Sequence, residues 1–187
     1  FNHANLSGAM LAGANLTESS LMEANLTGVN FKNANVSDAD LLKVVLVRAN
    51  LEHAHLAKTD LTGADLTEAN LTEANLHLAN LRGVKLVEAN LEGSNLREVN
   101  MVQADLAGAN LGRADLAQSN LKQANLRGAN IEMASLIQVN LQEANLQALH
   151  NLTISQLSKA RSLRQARLDP PIYEQLTKEY PHLFDQE

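Results

Sequence analysis

The amino-acid sequence predicts an all-β solenoid, a narrow rod that a short α-helical segment closes at its C-terminal end. An apolar residue recurs every five positions from Phe1 to Leu146 with no insertion. A small residue, most often Ala, stands two positions before each of these centres. The repeat degrades after Leu146, and a different pattern follows. We therefore divide the chain into a repeat domain, residues 1–149, and a helical C-terminal cap, residues 150–187.

The period of five excludes a straight helix and a straight strand for the repeat domain. Five residues of an α-helix advance by about 500°, so successive centres would lie about 140° apart and form no apolar stripe. Side chains of a strand alternate between its two faces, so an odd spacing would put successive centres on opposite sides. The chain must therefore turn once in every repeat. Between turns, the centre and the small residue two before it face a common interior.

The corner of each repeat is predicted to lie two residues after the centre. Gly suits a corner because its backbone is permissive. Eight of the nine glycines occupy this position, and Gly112 is the exception. The residue just before each centre is usually Asn or Asp. We expect its side chain to bond to nearby backbone at the corner, as these residues do in turns.

The array of Ala-Asn/Asp-Leu-x-x repeats, as in Ala64-Asp65-Leu66-Thr67-Glu68, resembles the pentapeptide-repeat family over residues 1 to about 149. The resemblance implies a right-handed quadrilateral parallel β-helix with four repeats in each coil. The period alone does not give the number of sides. The resemblance also implies about seven coils and a rod roughly 35 Å long. The tail, with Leu-Thr-x-x-Gln-Leu and then Pro-Pro-x-x-x-Glu-Gln-Leu, is similar to the tails of cyanobacterial members.

Two helices are predicted in the cap. Thr153 with Gln156 forms a capping box for a short helix through about Ala160. Asp169 followed by Pro170 predicts the start of a second helix. Its apolar face is formed by Ile172, Leu176 and Tyr180. We interpret the cap as a plug for the open end of the solenoid. The alternative is a dimerisation element, which some members of the family use; we expect a monomer rather than a dimer.

Candidate interaction surfaces follow if side chains twenty residues apart stack on one another. One side of the mid-rod is then acidic, and a small outer patch is apolar. The acidic candidates are Glu52, Glu68, Glu73, Glu88 and Glu92. The apolar candidates are Leu42, Val45 and Val47. The alternative interpretation is an ordinary solvated face with scattered exposed apolar residues.

Charge and hydropathy restrict the partners. The net charge is −6 and the pI is near 5.5, which argues against direct nucleic-acid binding because such surfaces concentrate Lys and Arg. No apolar run approaches the eighteen or so residues that insert across a membrane. The chain begins at Phe1 rather than Met, so a leader or upstream domain is permitted. We expect a cytoplasmic protein, or a periplasmic or thylakoid-lumen protein if a leader was removed.

No residues in the sequence form a recognisable catalytic or cofactor-binding motif. A phosphate-binding Gly-rich loop, zinc-ligand spacing and a nucleophile elbow are all missing from the printed sequence. His53 and His55 are the best metal candidates, but one is at an outward position and the other next to a centre, so we expect their imidazoles to diverge. The sequence therefore predicts a protein that is not an enzyme and has no cofactor or metal.

Two functions remain open at this point. The first is a scaffold that binds an unknown protein partner, since a regular rod offers faces rather than a cleft. The alternative is a DNA mimic that modulates a type II topoisomerase such as gyrase, as some proteins with this repeat do. An acidic rod favours the mimic, while the modest net charge and the interspersed Lys and Arg residues oppose it.

Overall fold

The chain is coiled into a four-sided rod. A computed structural model describes residues 1–185. Parallel bridges join residues twenty positions apart, from Asn5 with Asn25 to Asn130 with His150. Four repeats of five residues fill each interval, so every coil has four sides. The prediction of a right-handed quadrilateral parallel β-helix with a short helical cap is confirmed.

Each side of the rod is a ladder of very short strands. The residue before each centre forms the bridge and is called a rung here. On one side, the Asn50 N–H donates to the carbonyl of Val29 in the coil below at 2.9 Å. The Phe31 N–H donates upward to the carbonyl of Asn50 at 2.7 Å. Every coil is therefore tied to its neighbours by backbone hydrogen bonds that are independent of the side chains.

Four ladders run along the rod, and we name the faces after them. The first two rungs of each are Asn5 and Asn25 (face A), Met10 and Asn30 (face B), Asn15 and Asn35 (face C), and Ser20 and Asp40 (face D).

The corners have one backbone conformation throughout the repeat. Every residue two positions after a centre, from His3 to Ala148, has a positive φ, between 52° and 71°. The carbonyl of the centre accepts from the N–H three residues later, as in Ala54 to Leu51 at 3.0 Å. This is the pattern of a type II turn. The glycines predicted at corners lie there, and charged or amide residues adopt the same strained conformation at most other corners.

The interior is filled by the centres and the small residues. Both sets are almost fully buried from Leu21 to Leu146. Four small positions carry hydroxyls, and three of these donate to the carbonyl of the preceding centre, as Thr59 does to Leu56 at 2.8 Å. The fourth hydroxyl, that of Ser19, is buried and has no hydrogen-bond partner within residues 1–185.

The cap contains two α-helices and a 3-10 helix. The first, α1, is Ile154–Leu157; the second, α2, is Pro170–Glu179; and the 3-10 helix is Pro181–Phe184. The capping box between Thr153 and Gln156 is present, although α1 ends earlier than the sequence predicted. Leu157, Leu176 and Leu183 are buried and join the interior of the rod. Across residues 1–185, no helix is both long and apolar enough to cross a membrane.

Candidate protein-interaction faces

All five predicted acidic residues flank face B. Glu68 and Glu88 lie at the corner that precedes this face, and Glu52 and Glu92 lie at the corner that follows it. Glu73 also lies at the corner that follows face B, one coil before Glu92. The rungs between these corners are Asn residues from Asn30 to Asn130. The structure therefore brings the acidic candidates together around one amide ladder.

Two of these carboxylates form ion pairs with cationic side chains from neighbouring coils. Lys32 Nζ lies 2.9 Å from Glu52, and Arg48 Nε lies 2.8 Å from Glu68. The hydrogen bond from Lys32 lowers the pKa of Glu52, and the hydrogen bond from Arg48 lowers the pKa of Glu68. Both pairs are solvent-exposed, so salt screens them. The lower part of face B is therefore close to neutral.

His53 lies between two carboxylates at one corner. Its Nε2 is 3.4 Å from Glu52 and its Nδ1 is 3.4 Å from Glu73. His55 is a rung of face C, paired with Asn35 and Asn75, so the two imidazoles occupy different positions of the repeat. Over the described residues, 1–185, no group of three or more His, Cys, Asp or Glu side chains is arranged to hold a metal ion.

The upper carboxylates of face B stand apart from cations. Glu88 and Glu92 form one row with Asn90 between them, which we call the acidic row. Among residues 1–185, no cationic nitrogen lies within 4.0 Å of either carboxylate. In the next coil, Gly108, Asn110 and Gly112 occupy the same columns. We call this set the glycine row.

The glycine row lies close against the acidic row. A Cβ atom added at Gly108 would lie 3.5 Å from the Cγ of Glu88. At the adjoining corner, a Cβ at Gly93 would approach the Cγ of Glu73 to 3.2 Å. Because side chains are missing at these positions, the methylene stems of Glu73 and Glu88 rest against bare backbone. Face B is therefore flat above its unpaired carboxylates. This feature can be found in the sequence by comparing positions twenty residues apart, once the length of the coil is known.

The apolar candidates surround one rung of face A. Val45 is the rung, Val47 lies at the following corner and Leu42 lies at the preceding one. All three side chains are half-buried. Their role as an interaction surface stays a prediction, as does that of the acidic residues. The second interruption of this ladder, Lys85, is 3.5 Å from Asp65. Burial raises the pKa of Asp65, but hydrogen bonds from Thr67 and the charge of Lys85 outweigh it and lower the pKa.

A groove that was not predicted from the sequence lies at the C-terminal end of face C. It lies between the last coil and α1, and it has two adjoining cavities of about 340 and 490 Å³. Met133 and Gln156 line both cavities. The only sequence signal for this site is a pair of apolar residues, Met133 and Ile137, at outward positions of the repeat.

Comparisons with known proteins agree with this architecture. The family model for pentapeptide repeats matches in eight copies, over residues 1–42, 45–83, 74–113, 85–123 and 119–148. A search of curated proteins finds no match. Among solved structures, the chain is similar to HetL of the cyanobacterium Nostoc sp. strain PCC 7120, a pentapeptide repeat protein involved in heterocyst differentiation regulation. The two share 32% identity over 89% of this chain and 75% of HetL, with a TM-score of 0.47.

Two further solved structures are more distant. Full-length QnrB1, a plasmid-mediated fluoroquinolone resistance protein, is 15% identical over 94% of this chain and 96% of its own, with a TM-score of 0.44. A pentapeptide repeat protein from the thylakoid lumen of Arabidopsis thaliana is 28% identical over 60% of this chain and 68% of its own, with a TM-score of 0.21. With its uninterrupted repeat, its four-sided coil and the match of the family model, the chain belongs to the pentapeptide-repeat family.

Proposed function

We propose that the rod is a non-enzymatic scaffold whose face B binds a basic segment of a partner protein. The acidic row carries this proposal: Glu88 and Glu92 lie in one row, and no cation of the described chain pairs with them. Unpaired carboxylates on a regular surface attract cationic partners and accelerate their association.

The shape of face B supports the same function. The glycine row directly above the acidic row presents backbone without a side chain at Gly108 and at Gly112, and the exposed Arg113 follows Gly112. A Lys or Arg side chain can therefore lie flat across the face and reach Glu88 or Glu92 from that direction. The amide of Asn110 already donates to Asn90 at 3.1 Å, which fixes the surface between the two carboxylates. A rigid, pre-formed face lowers the entropy lost on binding.

The placement of the carboxylates favours binding over catalysis. Acid–base chemistry needs a cleft that excludes water and shifts pKa values. Glu88 and Glu92 lie on an outer face of the rod, and neither lines the cavities found beside the cap. Both are therefore in contact with solvent, where a carboxylate acts as a charge rather than as a general acid or base.

The test is affinity capture from the lysate of the source cell with the tagged rod. The double variant Glu88→Lys/Glu92→Lys reverses the acidic row, and we expect it to lose a partner that the unaltered chain retains. The matched control is Glu18→Lys/Glu98→Lys, which makes the same charge change at the corner preceding face D. Retention of every partner by the Glu88/Glu92 variant would contradict the proposal. Loss in both variants would indicate a response to net charge alone.

The topoisomerase alternative uses the same acidic side and has its own test. The pairing of Glu52 with Lys32 and of Glu68 with Arg48 reduces the negative charge that a DNA mimic would present. We expect the rod to leave the supercoiling activity of gyrase unchanged. Inhibition or protection of gyrase that disappears in the Glu88→Lys/Glu92→Lys variant would replace the scaffold proposal with the mimic.

A further inference from the structure

Face C has fewer rungs than each of the other three faces. His150 continues face B above Asn130, Ser162 continues face D above Asn140, and Arg167 continues face A above Asn145. Face C ends at Ser135, because the chain leaves the coil and forms α1 at the place where the next rung would lie. The upper edge of residues 134–136 therefore lacks a neighbouring strand.

The side chain of Gln156 satisfies only the carbonyl groups of this edge. Its Nε2 donates to the carbonyl oxygens of Ile131 at 2.8 Å and Ala134 at 3.1 Å. Its Oε1 accepts from the backbone N–H of Thr153 at 2.9 Å. The amide of Gln156 thus replaces the donor of the missing strand. It provides no acceptor for the edge.

Two backbone donors remain without acceptors at this edge. In the coil below, Arg113 N–H donates to the carbonyl of Glu132 at 2.7 Å and Leu116 N–H donates to that of Ser135 at 3.1 Å. The equivalent amides one coil higher belong to Met133 and Leu136, and neither donates a hydrogen bond within residues 1–185. Leu136 is only 4% exposed. An unpaired amide in a buried residue such as Leu136 is rare in proteins, and it favours a ligand that supplies a carbonyl oxygen.

The groove along this edge is apolar in the middle and charged at its ends. The larger side chains on its rim are Met133, which is 73% exposed, and Ile137, which is 48% exposed. Glu132 lines the groove where the short strand begins, and Lys159 lines it where the strand ends. Among the residues described, neither charge lies within 4.0 Å of an opposite one.

We propose that this groove binds an extended segment of a partner protein beside the free edge of face C, where Gln156 already supplies the donor and the segment supplies the acceptors. The segment runs parallel to residues 134–136, like every other strand of the rod, and its carbonyls accept from Met133 and Leu136. Apolar side chains in its middle cover Met133 and Ile137. An acidic residue on its C-terminal side faces Lys159, and a basic residue on its N-terminal side faces Glu132. Addition of a strand to an exposed edge combines main-chain hydrogen bonds with side-chain selectivity.

The test begins with a random heptapeptide library displayed on phage, selected on the full chain. We expect enrichment of peptides with apolar residues in the middle and an acidic residue toward the C-terminus. Counter-selection uses Met133→Lys/Ile137→Lys, and the matched control is Met10→Lys, an exposed Met at the other end of the rod. The enriched peptide should lose about tenfold or more in affinity for the double variant and none for Met10→Lys. Peptides that bind both equally would overturn the proposal, and so would a library that gives no enrichment.

Two further measurements distinguish strand addition at this edge from binding elsewhere on the rod. In an amide-resolved NMR titration, the enriched peptide should shift the Met133 and Leu136 amide protons downfield, as new hydrogen bonds do. Lys159→Glu should change the selected C-terminal residue from acidic to basic. Shifts confined to other residues, or concentration-dependent dimerisation of the chain that Met133→Lys abolishes, would show that the groove has a different occupant. The groove does not include Glu88 or Glu92, so the two proposals can fail independently.

Discussion

Backbone strain at the corners is the main local constraint on this sequence. A positive φ costs an L-residue about 1 kcal/mol or more relative to Gly, yet Glu, Lys, Arg and Gln occupy half of the corners from His3 to Ala148. The rod can accommodate this strain because backbone hydrogen bonds on both sides hold each corner. Gly83 isolates the effect, since a Cβ added there would have no heavy atom within 4 Å.

We expect Gly83→Ala to lower the free energy of unfolding by about 1 kcal/mol, because Ala has to adopt the left-handed backbone conformation without any steric clash. Gly83→Asn is the control and should cost less, since Asn tolerates this conformation. Urea denaturation of the three proteins measures the difference. Equal losses for Ala and Asn would show that the corner backbone is not the origin of the effect.

The ion pair between Arg48 and Glu68 makes stability depend on pH. Because the pKa of Glu68 is lowered in the folded chain, its contribution is present above the ordinary value of 4.5 and is lost as pH falls through the folded pKa. The melting temperature of Glu68→Gln should therefore fall less between about pH 5 and pH 3 than that of the unaltered chain. Glu88→Gln, which removes a carboxylate without an ion-pair partner, is the control. Thermal scans by circular dichroism give the comparison, and identical pH profiles for Glu68→Gln and the unaltered chain would contradict it.

The ladder of rungs is the repeating element of the fold. An Asn or Asp rung accepts from the N–H two residues later, as Asn25 does from Thr27 and Asp65 from Thr67, both at 3.1 Å. Asn rungs also bond to one another between coils, as Asn95 does to Asn75 at 3.1 Å. Val45 interrupts this system on face A.

We expect Val45→Asn to raise the free energy of unfolding by about 0.5 to 1 kcal/mol, because the new amide supplies an acceptor for the Val47 N–H. Val45→Leu keeps the position apolar and should give no such gain. The unfolding midpoints in urea decide between them. If the Asn variant is the less stable, Val45 contributes more by its apolar contacts than an amide would.

At the scale of the whole molecule, the rod is a stack in which each coil contacts only the next ones. Stability is then close to a sum over coils and their interfaces. Twenty residues are the unit that returns the chain to the same face, as the bridges show from Asn5 to His150. The cap is fixed to the last coils through Gln156 and through Leu157, Leu176 and Leu183.

Deletion of residues 61–80 should therefore leave a folded rod that is shorter by about 4.8 Å, with a smaller denaturant dependence of its unfolding free energy. Deletion of residues 61–78 removes almost the same length but breaks the five-residue period, and we expect it to abolish cooperative unfolding. Small-angle X-ray scattering and urea denaturation measure both properties. A loss of cooperative folding in the first deletion would mean that the coils are not interchangeable units.

Much of the architecture was predictable because the residues of each repeat determine its conformation locally. The spacing of Leu66, Leu71 and the following centres places the interior, and Gly63 or Gly83 marks the corners. The hydrogen bonds of the Asn and Asp rungs are also local, since they reach only two residues along the chain. The pairing of Arg48 with Glu68 was not predicted, although both residues were visible. This pairing depends on the conformations that long side chains adopt between coils, and the period of the repeat does not specify those conformations.

The sequence by itself determined the period, the inward and outward positions, the corner conformation and the presence of capping helices, because these follow from contacts within a few residues. Only the tertiary structure decided which carboxylates stay unpaired and where face C ends. The free edge beside Met133 and Leu136 arises because α1 leaves the coil early, so that the side-chain amide of Gln156 replaces a strand on one face only. Such a site depends on how two segments of different geometry meet, and neither segment encodes that junction locally.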